Sequence, residues 1–144
     1  VPGGEELELE VVRDAKNLMI TVCFIENVDA MGVHTGDYYC MAPMLPTDPE
    51  LQKRLQKYSY DIVEAIQVIG GTNIQFANDP ATGRVVVIEI NPRTSRSSAL
   101  ASKATGFPIA MVSSMLAGGM TLDEIPYWRE GTLEKYTPWG DYVW

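Results

Sequence analysis

Apolar and polar positions alternate with a period of two over Glu5–Arg13, where Leu7, Leu9 and Val11 interleave with Glu6, Glu8, Glu10 and Val12. Successive strand side chains point to opposite faces, so this stretch predicts a β-strand with one apolar and one acidic face. Asp14-Ala15-Lys16-Asn17 turns the chain, and Leu18–Glu26 returns as a more apolar second strand, completing an antiparallel hairpin. A loop dense in turn formers follows, Glu26–Asp37, and then a short strand, Asp37–Ala42, ended by Pro43. Thr47-Asp48-Pro49-Glu50 is a helix start, with a capping side chain, a proline near the first turn and acids after it. Leu51, Leu55, Tyr58, Ile62, Ile66 and Ile69 recur at spacings of three and four, which predicts a helix with a core-facing stripe. Gly70-Gly71 is expected to end it through a left-handed residue.

The period of two resumes over Thr72–Arg96. Asn73, Gln75 and Ala77 alternate with Ile74 and Phe76; beyond Asp79-Pro80-Ala81-Thr82-Gly83, Val86, Ile88 and Ile90 alternate with Val85, Val87, Glu89 and Asn91. Asp, Pro and Gly in that order predict the turn of a second hairpin. A turn centred near Ala81 and Thr82 brings Gln75 level with Glu89, and a register slip of one residue inverts the pairing. A short helix over Ser98–Thr105, capped by Ser97, and an apolar helix over Ile109–Ala117 follow, the latter with Met111, Val112, Met115 and Leu116 as core filling. Gly118-Gly119 breaks that helix, Thr121 caps a last helical turn, and Tyr127–Trp144 is aromatic and irregular. The predicted architecture is α+β, an antiparallel sheet of about five strands with helices packed on one face.

At 144 residues the chain fits one domain, with 46% hydrophobic and 21% charged residues. A net charge of −8 speaks against nucleic acid as a partner, and there is neither a basic patch for anionic lipid nor a membrane-spanning or signal-like stretch. Cys23 and Cys40 lie in apolar, strand-like segments and read as buried free thiols of a reducing compartment. With one histidine and two distant cysteines, no zinc site can be assembled.

Two readings stand for the polar ends of the hairpins. Glu89 and Asn91 either decorate a solvated face or, with Gln75, offer hard oxygen ligands to a cation such as magnesium. The acidic face of Glu5–Arg13 reads as solvation. Arg93 and Arg96 follow the strand through Pro92, and guanidinium is the side chain best shaped for bidentate contact with carboxylate, carbonate or phosphate. His34 sits in a glycine-flanked polar loop and is either structural or at a functional site.

The run IEINPRTSRSSALASKATGFPIA (Ile88–Ala110) resembles the signature of the carbamoyl phosphate synthase large-chain family. More closely, it is similar to the first, carboxyphosphate-forming ATP-grasp half. ELEVVRD (Glu8–Asp14), ENVDAMGVHTGD (Glu26–Asp37), GGTNIQFA (Gly70–Ala77) and TLDEI (Thr121–Ile125) match the family in its order, so the resemblance covers nearly the whole chain. It implies the carboxyl-terminal lobe of an ATP-grasp domain over residues 1–126, with 127–144 leading toward a next domain. By the same resemblance Gln75, Glu89 and Asn91 bind two magnesium or manganese ions bridging ATP phosphates, with Gln75 and Glu89 also touching the nucleotide. Glu6 holds the ribose, Gly32, Val33 and His34 flank the nucleotide, and Arg93 and Arg96 grip bicarbonate or carboxyphosphate.

The implied partners are ATP, bicarbonate, the rest of the large chain and a glutaminase small subunit, in the cytoplasm by default or in an organelle in some relatives. The glycine-rich phosphate loop of the opposite lobe has no counterpart here, so the chain is expected to be a piece of a longer polypeptide, inactive alone. Two alternatives remain open: a free-standing nucleotide-binding or scaffold module without turnover, and a lobe of another ATP-grasp carboxylase or ligase.

Overall fold

Two hairpins laid side by side build most of the sheet. The computed structural model describes residues 5–27, 40–42, 49–79, 81–92, 107–126, 132 and 142–143. In chain order the elements are β1 (Glu5–Arg13), β2 (Met19–Asn27), β3 (Cys40–Ala42), α1 (Pro49–Ile66), β4 (Gly70–Asp79), β5 (Arg84–Asn91) and α2 (Ile109–Ala117). A 3-10 turn at Leu122–Glu124 and a two-residue β6 (Tyr142–Val143) complete them. The strands form one sheet in the order β5-β4-β1-β2-β3-β6, and every neighbouring pair is antiparallel. This is the α+β antiparallel sheet expected from the sequence; β6 adds a further short strand beside β3.

The helices divide between the two faces instead of sharing one. Leu7, Leu9, Val11, Phe24, Ile74 and Phe76 pack against Leu55 and Val63 of α1. On the opposite face Val12, Ile20, Val22, Cys23 and Ile25 pack against Ile109, Val112 and Leu116 of α2, with Phe107, Leu122 and Ile125. The period of two in β1 dictates this split, because Val12 stands on the side of Glu8 and Glu10, opposite Leu9 and Val11. Cys23 is buried and in no disulfide, as its apolar surroundings suggest. The predicted helix over Ser98–Thr105 lies outside the described residues.

Several local expectations shift. α1 stops at Ile66 and turns through Gln67 in the left-handed region (φ 54°), three residues before the glycines. Tyr58, Ile66 and Ile69 are exposed, and the buried stripe of α1 runs through Leu55, Ser59 and Val63. Gly70 and Gly71 instead open β4, where they let α2 approach closely. A Cβ on Gly71 would come within 3.3 Å of Ser113 Oγ, the atom that accepts the Gly71 N–H at 3.1 Å. Met111 is exposed on the outer side of α2, while Met115 packs on the core.

Arg13 and Asp14 lock the first hairpin to its surroundings. Arg13 donates to Asn17 Oδ1 at 2.9 Å and to the Val68 carbonyl at 3.1 Å, tying the turn to the exit of α1. The fully buried Asp14 accepts the N–H groups of Lys16 and Leu18 on Oδ1, both at 2.9 Å, and that of Leu122 on Oδ2 at 2.7 Å. Thr121, the expected cap of the 3-10 turn, donates its hydroxyl to Asp123 and Glu124 and makes no capping bond. The cap comes from Asp14, more than a hundred residues earlier.

Two outcomes follow for urea unfolding of the chain. Asp14→Ala leaves three backbone donors unmet and lowers stability by about 3 kcal/mol. Thr72 Oγ1 is buried without a partner, so Thr72→Val, which removes it at constant shape, raises stability by about 1 kcal/mol.

Candidate functional site

β1, β4 and β5 set two rows of polar residues side by side on one face. Across the strands Glu8 faces Gln75 and Gln75 faces Glu89; in the next row Glu10 faces Asn73 and Asn73 faces Asn91. Cys23 and Ile25 extend the rows onto β2, opposite Glu10 and Glu8, so the apolar cluster beneath α2 borders the polar ground directly. Exposure rises from the sheet centre to its edge. Glu8, Glu10 and Asn73 are buried, Gln75 and Asn91 are half-buried, and Glu89 is exposed.

One irregularity makes this alignment. Outward from the turn the pairs are Asp79 with Arg84, Asn78 with Val85, Ala77 with Val86 and Phe76 with Val87; then Gln75 pairs with Glu89. Ile88 is an extra residue, a β-bulge. Without it Glu89 would stand opposite Ile74, on the α1 face. The bulge also corrects the simple alternation along β5: Val85 and Val87 lie on the α1 side, Val85 packed on that cluster, and Val86 shares the face of Glu89. The turn itself is as expected, with Gly83 at φ 74° donating to the Asp79 carbonyl at 2.7 Å and Asp79 Oδ1 accepting the Ala81 N–H at 3.0 Å.

Within the rows, Asn73 is the hub. Its Nδ2 donates to Glu10 Oε1 at 2.8 Å and to Glu8 Oε2 at 3.3 Å, and its Oδ1 accepts from Gln75 Nε2 at 3.5 Å. The acidic face of β1, read from sequence as solvation, is therefore sequestered at Glu8 and Glu10, both 1% exposed. Sequence reasoning missed these two acids and Asn73 as site residues. The available signal was the spacing: acids at i, i+2 and i+4 on one strand and Asn-x-Gln on another, both on the face that holds the Glu-x-Asn pair.

Of the residues singled out, Gln75, Glu89 and Asn91 are brought together, and Glu6, half-buried opposite Ala77, lies on the same face next to Glu8's row. Gly32, Val33, His34, Arg93 and Arg96 lie outside the described residues. Among the described residues no three His, Cys, Asp or Glu side chains could hold a metal together. Gln75, Glu89 and Asn91 instead set one carboxylate and two amides in adjoining rows of the same face. That donor set fits a hard divalent ion completing its coordination with water and phosphate oxygens. No described helix is long and apolar enough to cross a membrane.

Comparison with known proteins gives a family and a fold. Residues 1–125 match the family model described as the carbamoyl-phosphate synthase L chain, ATP binding domain. The carbamoyl phosphate synthase large chain of Thermotoga neapolitana is 57% identical over 99% of this chain, and that of Helicobacter pylori (strain 26695) is 55% identical over 98%. The chain spans 13% of the length of each. Among solved structures, Rhizobium etli pyruvate carboxylase superposes with a TM-score of 0.81 at 19% identity, over 99% of this chain and 14% of that one. A Campylobacter jejuni biotin carboxylase, solved as its beta-gamma-ATP complex, superposes with a TM-score of 0.79 at 18% identity, over 99% and 30%. At such identities the likeness speaks for the fold, an ATP-grasp lobe.

An exposed carboxylate at the sheet edge does little for folding. Glu89→Gln is expected to change the urea-unfolding free energy by less than about 0.5 kcal/mol, with the circular dichroism spectrum unaltered.

Proposed function

Because the chain belongs to the carbamoyl phosphate synthase large-chain family, we propose that its polar rows are the metal- and nucleotide-phosphate-binding half of a site that phosphorylates bicarbonate. The observation that carries this reading is the bulge-set register that puts Gln75 opposite Glu89, with Asn91 in the adjoining row. Gln75, Glu89 and Asn91 would hold two magnesium or manganese ions, whose chemistry is neutralisation of polyphosphate charge. Glu6, on the same face, would bind the ribose, and Gly32, Val33 and His34 would lie along the nucleotide. Arg93 and Arg96 follow β5 directly in sequence and would hold bicarbonate in line with the γ-phosphate.

In the step itself a bicarbonate oxygen bonds to the γ-phosphorus while the bond to the β–γ bridging oxygen breaks, giving carboxyphosphate and ADP. Positioning and electrostatics supply most of the acceleration in such a transfer. Ammonia then displaces phosphate to form carbamate, which a second ATP-dependent site converts to carbamoyl phosphate. The ammonia would come from a glutaminase subunit, and the setting would be cytoplasmic. One fold neighbour, the biotin carboxylase domain of a thermophilic 2-oxoglutarate carboxylase, was solved bound to bicarbonate, which favours the same acceptor here.

The chain would act only as part of a longer one. Among the described residues β5 is the edge of the sheet, and Val86, Val87, Ile88 and Ile90 are exposed on it. Unpaired apolar edges are normally covered, and a second lobe closing over the site would cover this one.

Calorimetric titration of the 144-residue chain with Mg-ATP tests the half-site. Weak binding that Glu89→Gln abolishes is the expected result; equal binding by both proteins would remove Glu89 from the site. In a full-length large chain carrying this segment, the same substitution is expected to lower bicarbonate-dependent ATP hydrolysis by at least about a hundredfold, the scale of losing one preorganised electrostatic element.

A further inference from the structure

We propose that Asn73 is a positioning residue: it fixes which end of the Gln75 side-chain amide faces outward, so that the oxygen and not the NH2 group is presented beside Glu89. A primary amide has a donor end and an acceptor end of nearly equal size, and only its partners decide between the two orientations. For Asn73 the partners leave no choice. The same nitrogen lies 2.8 Å from Glu10 Oε1 and 3.3 Å from Glu8 Oε2, and only an NH2 group can donate to two carboxylates at once. Asn73 Oδ1 is thereby turned away from the acids, and there it accepts from Gln75 Nε2 at 3.5 Å. The donor end of Gln75 is thus taken up inside the sheet, and Oε1 is the end left for the half-exposed side facing Glu89 in register.

Burial makes the device directional. Glu8, Glu10 and Asn73 are each 1% exposed, so water cannot substitute for any of these partners cheaply, whereas Gln75 and Glu89 reach solvent. Orientation passes from two buried acids through one buried amide to a half-buried one. The role of Gln75 as a cation ligand rests on the function proposed above; the orientation of its amide does not require a cation. Supporting partners of this kind hold a ligating group in its productive orientation.

The test swaps donor and acceptor along the relay. N73D replaces the NH2 group with an oxygen facing two carboxylates. Adding E10Q returns a donor to that gap with its direction reversed, leaving the outer oxygen free to accept from Gln75. Two readouts are taken on the 15N-labelled 144-residue chain. The first is solvent exchange of the Gln75 side-chain NH2 protons, identified by their disappearance in Q75E. The second is affinity for Mn2+ in the presence of ATP, by electron paramagnetic resonance.

Expected are protected Gln75 amide protons in the wild type, fast exchange in N73D, and protection regained in the double variant. Mn2+ affinity should fall about 10- to 100-fold in N73D and recover most of that loss in the double variant. If N73D does not fold, the folded double variant with a protected Gln75 amide still supports the relay. A wild-type Gln75 amide that exchanges freely, or a folded double variant no more protected than N73D, overturns it. Protection that follows the swap with no Mn2+ binding in any protein upholds the positioning role and overturns the cation reading of the site.

Discussion

A single extra residue in β5 governs where the chemistry of this lobe can stand. In an antiparallel hairpin the turn counts the register for every residue beyond it, and each strand position is committed to one face. Counted straight from Asp79 opposite Arg84, Glu89 would face Ile74 and project into the apolar layer shared by Leu9, Phe76 and Leu55, where an unpaired carboxylate is costly. Ile88 absorbs one position, and from there outward Glu89 and Asn91 face Gln75 and Asn73. Bulges are common at sheet edges beside functional sites because they re-aim side chains in this way. Here the bulge turns two separate three-residue patterns, Asn-x-Gln and Glu-x-Asn, into one polar patch.

The patch is graded. At its inner end Glu8 and Glu10 are removed from solvent, an arrangement tolerated only when hydrogen bonds hold the carboxylates, and the Asn73 amide donates to both. At its outer end Glu89 is open to water and to whatever approaches from the sheet edge. The inner end is buried and hydrogen-bonded while the outer acid is accessible, so the patch keeps its inner order whatever meets its outer end.

The remaining polar residues at the first turn do a different kind of work. Arg13 and Asp14 fall within a segment that resembles the enzyme family, yet both are spent on backbone groups: the exit of α1, the turn and the 3-10 turn near residue 122. They tie the first turn to the exit of α1 and to the 3-10 turn that follows α2.

What the sequence determined alone was the local order. Alternation set β1 and the second hairpin, Asp79 and Gly83 set its turn, and the apolar run set α2 at Ile109–Ala117. Each of these rests on interactions within a few residues of chain, which a period or a turn residue records directly. The polar residue types Gln75, Glu89 and Asn91, proposed as donors, were legible for the same reason. Tertiary structure decided the rest. Which face Glu89 and Asn91 take depends on a bulge that no residue type announces; whether Glu8 and Glu10 are solvated depends on the tertiary packing around them. That α1 and α2 cover opposite faces, and that Asp14 caps a turn more than a hundred residues away, depends on strand order in the sheet. Sidedness and burial belong to pairs of elements, and one element's sequence cannot express them.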